Sequence, residues 1–357
     1  MTIELENVSL QRENVDYLSG VSLVIEPGAF NILLGPTLSG KTTMLRTMAG
    51  LERPDQGRIL ENGVDVTGTP VQKRDVAMVY QQFINYPSMN VFENIASPLR
   101  VARVGQPEID RRVREVARLL RIEPMLDRRP GELSGGQQQR AALARALVKE
   151  AGLVLLDEPL ANLDYKLREE LREELPRLFE HSGSTVVYAT AEPAEALMLG
   201  GYTATLHQGR VTQFGGTHDV FRNPADLITA ETFSDPPLNV AEVVKHDGHF
   251  ILNDSTSWPV KESHAGQPDG DYLLGFRPHH LSLGNSDPGS IRLEGVVEIA
   301  EISGSETFVH LEVGDHQWIS QSPGVHQLEV GRHLTVSVHP DRFMLFAPDG
   351  RRLDQEA

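Results

Sequence analysis

The 357-residue sequence contains no cysteine. Disulfide bonds, thiolate catalysis and cysteine-ligated zinc are therefore excluded. Long apolar runs are also missing, since stretches such as LVLL at 153–156 fall far short of the roughly 18 residues that a membrane span needs. The N-terminus has no basic region followed by an apolar one, so we expect no signal peptide. Any role at a membrane must then come through a partner.

Positive charge is scarce, with 33 Lys and Arg residues against 50 Asp and Glu residues and a formal net charge of −17. Non-specific binding of nucleic acid needs a basic surface, so this balance argues against a nucleic-acid partner. Only 6% of the residues are aromatic, and no stripe of basic and aromatic residues suggests stacking on bases. Hydrophobic and charged contents are otherwise ordinary for a globular chain large enough for two domains.

The first two thirds of the sequence alternate between strand and helix patterns, which predicts a mostly parallel sheet. Residues 1–30 show the polar–apolar alternation of antiparallel strands. Charged segments at 110–122 and 166–181 have helical periodicity, and the first places Val113, Val116, Leu119 and Leu120 on one apolar face. Further strands are predicted at 31–34, 57–63, 76–80, 153–157, 185–190 and 202–211.

The pattern changes near SDPPLN at 234–239, after which short strands and turns follow with almost no helical period. A small barrel or sandwich is predicted there. We therefore expect two domains, residues 1–234 and 235–357. Ten of the thirteen histidines follow residue 240, but most are isolated, so we interpret them as surface or strand residues and not as a metal site.

A phosphate-binding loop is predicted at GPTLSGKTT, residues 35–43, which matches G-x-x-x-x-G-K-[ST] between a strand and a helix. Gly35 and Gly40 let the backbone curl so that its N–H groups point at phosphate oxygens, and the following helix adds its positive dipole end. Lys41 is expected to reach the β- and γ-phosphates and Thr42 to offer its hydroxyl to Mg²⁺. The nucleotide-binding residues predicted here are Gly35, Pro36, Thr37, Leu38, Ser39, Gly40, Lys41, Thr42 and Thr43.

Two carboxylates end the apolar strand LVLLDEP at 153–159. We assign Asp157 to Mg²⁺ and Glu158 to polarising an attacking water. A second anion site is predicted in ELSGGQQQRAALARAL, where Ser134, Gly135 and Gly136 begin a helix with bare N–H groups. One nucleotide rarely needs two such helix starts, so the second would serve a nucleotide bound to another subunit.

The phosphate loop, LSGGQ and LLDEP in this order resemble the ATP-binding cassette (ABC) ATPases, as do Gln81 after a strand and LANLD at 160–164. The tail, with LLGFRPHHLSL at 273–283, resembles the OB-type (TOBE) regulatory domain of importer ATPases for maltose, other sugars, polyols and glycerol-3-phosphate. The resemblance implies an α/β P-loop NTPase, with a RecA-like core, an antiparallel β subdomain and a helical subdomain at about 85–150, followed by an all-β OB-type domain.

The same resemblance implies two subunits stacked head to tail with two ATP molecules between them. Each ATP would lie between one chain's phosphate loop and the other chain's Ser134, Gly135, Gly136 and Gln137. Gln81 would sense Mg²⁺ and the γ-phosphate, and Asp164 would contact the opposite subunit. Residues 81–100 would line a groove for a permease helix at the cytoplasmic face of the membrane. A solute-binding protein on the other side of the membrane would be an indirect partner, through the permease.

Two positions depart from the family pattern. A histidine that donates to the γ-phosphate is expected at the end of the last core strand, where this chain has Ala191. Loss of one preorganised donor costs roughly 10²–10³ in rate. The family usually stacks adenine on an aromatic residue shortly after the first strand. Counted back from the phosphate loop, that position holds Arg12 here, and the nearest aromatic residue is Tyr17. An arginine plane can stack on a base, so both residues remain open for this role.

Ala191 leads to three hypotheses: pairing with a sister ATPase that keeps the histidine, a slow homodimer that works through Glu158, or a chain that binds ATP without hydrolysing it. The first is favoured because the other motifs are all kept. A TxEPxEAL-like stretch resembles glycerol uptake systems, which makes glycerol the leading solute. Two alternatives stay open: an ABC ATPase that works on DNA or ribosomes without a permease, and a purely regulatory nucleotide-binding subunit.

Overall fold

The computed structural model describes residues 1–353, apart from 83, 162–164, 181–182, 254–255, 262–263 and 285–287. The chain divides into two compact units, Met1–His218 and Asp219–Ala357. The boundary expected at 234/235 therefore falls inside the second unit. The Arg277 guanidinium explains the difference, because it donates hydrogen bonds to the backbone oxygens of Phe221 (2.6 Å) and Phe233 (3.4 Å) and so ties this stretch to the β-rich part of its unit.

The first unit is built on two sheets. An antiparallel sheet has the order β2-β1-β4-β5, and a mostly parallel sheet has the order β10-β9-β3-β8-β7-β6. Their shared core contains residues of β1 and β2 together with the inner face of the first helix. The strands are β1 (Ile3–Arg12), β2 (Val15–Ile25), β3 (Phe30–Leu34), β4 (Gln56–Glu61), β5 (Val64–Asp65), β6 (Val76–Val79), β7 (Leu153–Asp157), β8 (Thr185–Thr190), β9 (Tyr202–His207) and β10 (Arg210–Gly216).

One strand prediction is wrong. The pattern at 202–211 was expected to form a single strand, but it forms the β9–β10 hairpin. Gln208 and Gly209 make its turn with backbone φ of 46° and 75°, the left-handed pair that a two-residue hairpin turn requires. The predicted parallel pairing is present, since β3 pairs in parallel with β8 and β9, and β7 pairs in parallel with β6 and β8.

The helices follow the predicted periodicity with one corrected face. The helix expected at 110–122 begins earlier, at Gln106, because Pro107 suits a first helical turn. Leu119 is 42% exposed, and Ile109 and Ala117 are buried with Val113 instead. The helices are α1 (Lys41–Ala49), α2 (Val91–Val101), α3 (Gln106–Leu119), α4 (Gly135–Leu147), α5 (Tyr165–Glu180), α6 (Pro193–Leu199), α7 (Thr217–Arg222) and α8 (Leu227–Thr232). Within the described ranges, none is long and apolar enough to cross a membrane.

The second unit carries two antiparallel sheets with the orders β13-β12-β11-β14-β20 and β15-β19-β16-β17-β18. Their facing sides form a separate core, in which the Phe276 and Trp318 rings meet edge to face at 4.9 Å. The strands are β11 (Asn239–His246), β12 (His249–Asn253), β13 (Thr256–Pro259), β14 (Gly270–Phe276), β15 (Ser282–Leu283), β16 (Ile291–Ser303), β17 (Glu306–Val313), β18 (His316–Pro323), β19 (His333–Val338) and β20 (Met344–Phe346).

Candidate functional site

The phosphate loop joins β3 to α1 and is shaped by two glycines. A Cβ on Gly35 would lie 2.4 Å from the Leu206 backbone oxygen, and one on Gly40 would lie 2.7 Å from that of Tyr17. Gly40 also has a φ of 103°, which side-chain-bearing residues rarely adopt. The backbone N–H of Gly209 donates to the Ser39 oxygen at 3.0 Å. The loop is therefore held tightly against its neighbours, as a phosphate cradle requires.

Lys41 lies inside this loop and is only 5% exposed. Its Nζ donates to the backbone oxygens of Gly35 (2.7 Å) and Pro36 (2.9 Å) and lies 3.7 Å from Glu158 Oε1. Burial lowers the pKa of Lys41, while the negative charges of Glu158 and Asp157 oppose that shift. The lysine is thus a desolvated cation beside two carboxylates, where its charge acts strongly on a nearby anion.

Thr42 and Asp157 are brought together by the sheet, because β3 and β7 both end at this edge. The Thr42 hydroxyl donates to Asp157 Oδ1 at 2.9 Å. Asp157 is 3% exposed, and this burial raises the pKa of its carboxyl, while the Thr42 hydrogen bond partly offsets the shift. A hydroxyl and a carboxylate side by side are the oxygen ligands that Mg²⁺ prefers in nucleotide sites. The two residues therefore fit the predicted Mg²⁺ position.

Glu158 is held from two sides. Its Oε2 accepts a hydrogen bond from Gln81 Nε2 at 2.8 Å, and its Oε1 faces Lys41. The Glu158 backbone has a φ of 45°, an unusual conformation that persists only where the surroundings enforce it. Its N–H donates to the Ala189 oxygen of β8 at 3.0 Å. The predicted catalytic pair, Glu158 and Gln81, is thus in direct contact.

Ala191 follows β8 at the same edge of the sheet. The Thr190 oxygen accepts from the Gly35 N–H at 3.3 Å, so the chain passes directly beside the start of the phosphate loop. Ala191 itself is exposed and carries only a methyl group. The structure therefore places at the edge of the loop a residue that cannot donate a hydrogen bond from its side chain.

A buried polar network that was not predicted from the sequence lies behind Ala191. Glu195 on α6 is 3% exposed and accepts hydrogen bonds from Thr190 Oγ1 (2.6 Å) and the Tyr188 hydroxyl (3.0 Å). Burial, together with Glu195, raises the pKa of Tyr188 well above its ordinary value, so this hydroxyl keeps its proton. Both β8 side chains are therefore fixed by one carboxylate.

Two arginines of α5 complete the network. Arg172 pairs with Glu195 at 3.1 Å and with Glu192 at 2.5 Å. Arg168 pairs with Glu192 at 2.9 Å and donates to the Ala161 oxygen. The signal in the sequence was the spacing, because arginines four apart share a helix face and two glutamates flank the start of α6. The network connects the segment after Glu158 to the segment around Ala191.

The predicted second anion site begins α4. Ser134 is its N-cap and forms a capping box with Gln137: Ser134 N–H donates to Gln137 Oε1 at 3.0 Å, and Gln137 N–H to Ser134 Oγ at 3.4 Å. Gly135 faces open space. In the parts of the chain that the structure describes, no hydrogen bond or ion pair joins Ser134, Gly135, Gly136 or Gln137 to the phosphate loop. Their role toward a nucleotide stays a prediction.

Comparisons with known proteins agree with this geometry. The ABC transporter family model matches residues 18–161, and the TOBE domain model matches 274–346. The trehalose/maltose import ATP-binding protein MalK of Thermococcus litoralis is 40% identical over 348 residues, covering 91% of this chain and 92% of the relative. The chain belongs to the ABC transporter family. It is an ABC ATPase, and the predicted P-loop NTPase fold with an all-β OB-type second domain is confirmed.

Other relatives of this ABC ATPase have similar names. The maltose/maltodextrin import ATP-binding protein MalK of Photorhabdus laumondii is 34% identical and covers 99% of both chains. The sn-glycerol-3-phosphate import ATP-binding protein UgpC 3 of Agrobacterium fabrum is 36% identical, covering 95% of this chain and 96% of the relative. The solved dimeric cassette MJ0796 bound to ADP and Pi superposes with a TM-score of 0.55 at 30% identity, covering 60% of this chain and 98% of that one.

The two residues considered for adenine stacking occupy different environments in this ABC ATPase. Arg12 is held by Asp55, with Nη1 3.1 Å from Oδ2, and donates to the Arg53 oxygen. Tyr17 is 41% exposed, and its backbone oxygen lies beside Gly40 of the phosphate loop. Tyr17 thus lies next to the phosphate loop, and adenine stacking by either residue stays a prediction.

The remaining predicted nucleotide residues lie on the loop or outside the described chain. Pro36, Thr37 and Leu38 are exposed, and Leu38 has a φ of 68°. Ser39 Oγ is buried and has no hydrogen-bond partner within the described residues. Thr43 lies in the first turn of α1, where its backbone oxygen accepts from Thr47 Oγ1 at 2.7 Å. Asp164, predicted to contact the opposite subunit, lies outside the described residues.

Proposed function

We propose that this chain is the ATP-hydrolysing subunit that powers an importer for a sugar, polyol or glycerol-type solute. The observation that carries the proposal is the cluster at the sheet edge, in which Lys41, Thr42, Asp157, Glu158 and Gln81 form one contiguous group. Relatives of nearly the same length are named import ATP-binding proteins for maltose and sn-glycerol-3-phosphate. These names support the import direction and the solute class.

The proposed nucleotide site uses residues whose positions fit each role. Lys41 and the loop N–H groups would hold the phosphates, and Tyr17 would stack on adenine. Thr42 and Asp157 would hold Mg²⁺, which supplies charge neutralisation at the β- and γ-phosphates when bound. Glu158 would accept a proton from the attacking water, and Gln81 would keep that carboxylate oriented through their 2.8 Å hydrogen bond.

The second half of each site would come from another subunit, through Ser134, Gly135, Gly136 and Gln137 at the start of α4, with Asp164 at the subunit contact. This role suits a helix start whose capping box is exposed and whose Gly135 faces open space. The dimeric state of the MJ0796 cassette supports the same arrangement. Because Ala191 offers no donor, we propose that the partner is a sister ATPase carrying a histidine at this position, and not a second copy of this chain.

The membrane partner would bind at residues 81–100. This segment exposes Ile84 and Tyr86, which are 50% and 46% accessible, and it is braced from behind by Arg145, which donates to the Ile84 oxygen and lies over the Tyr86 ring. Apolar side chains on a rigid base suit the docking of a permease helix. We therefore place the chain peripherally at the cytoplasmic face of the membrane, with a solute-binding protein acting indirectly from outside.

ATPase assays on the purified chain test the proposal. Wild type is compared with Ala191→His, Glu158→Gln and the control Ala194→His, which introduces the same imidazole at an exposed position of α6. We expect slow wild-type turnover, a rise of roughly 10²-fold for Ala191→His, no rise for the control, and loss of activity when Glu158→Gln is added. If the wild type hydrolyses ATP rapidly and Glu158→Gln abolishes that activity, the chain works as a homodimer instead. No turnover in any variant would favour the purely regulatory, non-hydrolysing subunit.

A further inference from the structure

The second unit contains an open pocket of about 340 Å³ that has no part in the proposed catalytic site. It is walled by the turn after β14, the start of β20 and the stretch that includes α7. We call it the arginine pocket. Its main lining residues are Phe221, Arg222, Arg277, Arg342, Phe343 and Arg352.

The charge of the arginine pocket is opposite to that of the molecule. Residues 219–357 contain nine lysines and arginines against twenty-two aspartates and glutamates, in a protein of net charge −17. Four of those nine basic residues line the pocket, and Asp341 is the single acidic residue that lines it among the residues that the structure describes. Asp341 already pairs with Lys261 and with His339 at 3.3 Å. The arginine pocket is thus strongly cationic.

Arg277 forms the buried floor of the pocket and is 7% exposed. Its guanidinium lies 3.7 Å from the Phe221 ring centre and donates to the backbone oxygens of Phe221 and Phe233. No carboxylate pairs with it among the residues that the structure describes. Burial and the nearby Arg352 lower the pKa of Arg277 to about 10. A buried cation that is not neutralised is costly unless an anion accompanies it.

Two adjacent histidines, His279 and His280, also line the arginine pocket. Burial lowers the pKa of His280 to about 4, and His279, Arg342 and Arg277 add to the shift. Burial and the two arginines also lower the pKa of His279, although Glu306 opposes the change. Both rings are therefore neutral at pH 7 and retain an N–H donor. His280 Nδ1 is buried without a hydrogen-bond partner in the described part of the chain.

We propose that the arginine pocket binds a small phosphorylated metabolite, with its phosphate among Arg222, Arg277, Arg342 and Arg352 and its organic part against Phe221 and Phe343. Guanidinium groups bind phosphate oxygens in a bidentate fashion. Several cations around one cavity match a ligand that carries more than one negative charge. A pocket of this volume has room for an organic group besides the phosphate, and the phenylalanine rings supply an apolar wall for it.

Titration calorimetry on the full chain tests this site. All variants carry Lys41→Ala, which weakens phosphate binding at the phosphate loop equally in each of them, and the probes are phenyl phosphate and inorganic phosphate. We expect saturable binding of phenyl phosphate, at least as tight as that of inorganic phosphate. Arg342→Glu should weaken it by about tenfold or more, since it reverses a charge at the ligand. The matched control Arg292→Glu makes the same charge change on exposed β16 and should alter the affinity less than twofold.

Three results would overturn the inference. Absence of saturable binding at millimolar phenyl phosphate would remove the site. Equal weakening by Arg342→Glu and Arg292→Glu would assign the binding to the net charge of the protein. Weaker binding of phenyl phosphate than of inorganic phosphate would remove the proposed organic subsite. None of these results bears on ATP hydrolysis in the first unit, so the proposed function is tested separately.

Discussion

At the scale of single residues, the candidate site combines groups that favour chemistry over stability. Asp157 is almost fully buried beside Glu158, and its only hydrogen bond from a side chain in the described structure comes from Thr42. Such a carboxylate is ready to bind a cation, but it is costly to keep charged without one. The stability of the free protein therefore depends on the charge of Asp157.

Replacement of Asp157 by Asn is expected to abolish Mg²⁺-dependent hydrolysis and to stabilise the ligand-free fold at pH 7 by about 0.5–2 kcal/mol. Burial raises the folded-state pKa of Asp157 above its unfolded value of about 3.9. The wild type therefore loses stability as the pH rises from about 3.9 through the raised pKa. Urea unfolding across this pH range measures the effect. The exposed control Asp127→Asn should show no such gain, and an equal gain there would contradict the explanation.

At the scale of elements, α5 and the start of α6 are joined by the buried pair of Arg172 with Glu195 and by its pair with the half-exposed Glu192. Because α5 follows Glu158 closely in sequence and α6 follows Ala191, these pairs join the chain segments on either side of the proposed site. The network supports the geometry of the site without facing the nucleotide loop itself.

Glu195→Gln should lower the free energy of unfolding by about 2 kcal/mol, because Arg172 loses its buried counter-charge and keeps only the more exposed Glu192 and Glu169. The control is Glu115→Gln, which breaks the exposed pair with Arg111 on α3 and should cost less than about 1 kcal/mol. Urea denaturation of both variants beside wild type measures the difference. Equal costs would show that burial adds nothing to the strength of the α5–α6 pairs.

The parts of the site that follow one another along the chain could be predicted from the sequence, and the parts that meet only in space could not. The strand, glycine loop and helix around Lys41 are local, and so is the strand that ends at Asp157. The pairing of Arg172 with Glu195 joins residues 23 positions apart, and the helical spacing of Arg168 and Arg172 indicates a shared face without identifying the partner on it. The β9–β10 turn escaped prediction because Gln208 adopts the left-handed conformation, which Gln-Gly signals less clearly than Asn-Gly does.

At the scale of the whole molecule, the two units have separate cores. The first contains residues such as Leu10 of β1, and the second contains Phe276 and Trp318. Ligands of the first unit should therefore stabilise one core directly, and ligands of the arginine pocket should stabilise the other.

Calorimetric unfolding is expected to show two transitions. Leu10→Ala should lower the stability of the first unit by about 2–5 kcal/mol, and Phe276→Ala that of the second by about 3–5 kcal/mol. ATP with Mg²⁺ at a hundred times its dissociation constant should raise the free energy of unfolding of the first unit by about 2.7 kcal/mol. The free energy of unfolding of the second unit should not change. A single transition that both variants shift together would contradict the independence of the two units.

In the proposed heterodimer, Ala191 also determines how many ATP molecules are hydrolysed in each transport cycle. In a dimer where only one of two sites turns over, each transport stroke releases the free energy of one ATP and not of two. The steepest solute gradient that a pump can hold grows exponentially with the free energy released per stroke. Halving that energy reduces the limiting concentration ratio to its square root, while each ATP moves twice as much solute up a shallow gradient. A cell that grows where its solute is abundant then imports more solute per ATP. It loses only the ability to concentrate the solute from dilute surroundings.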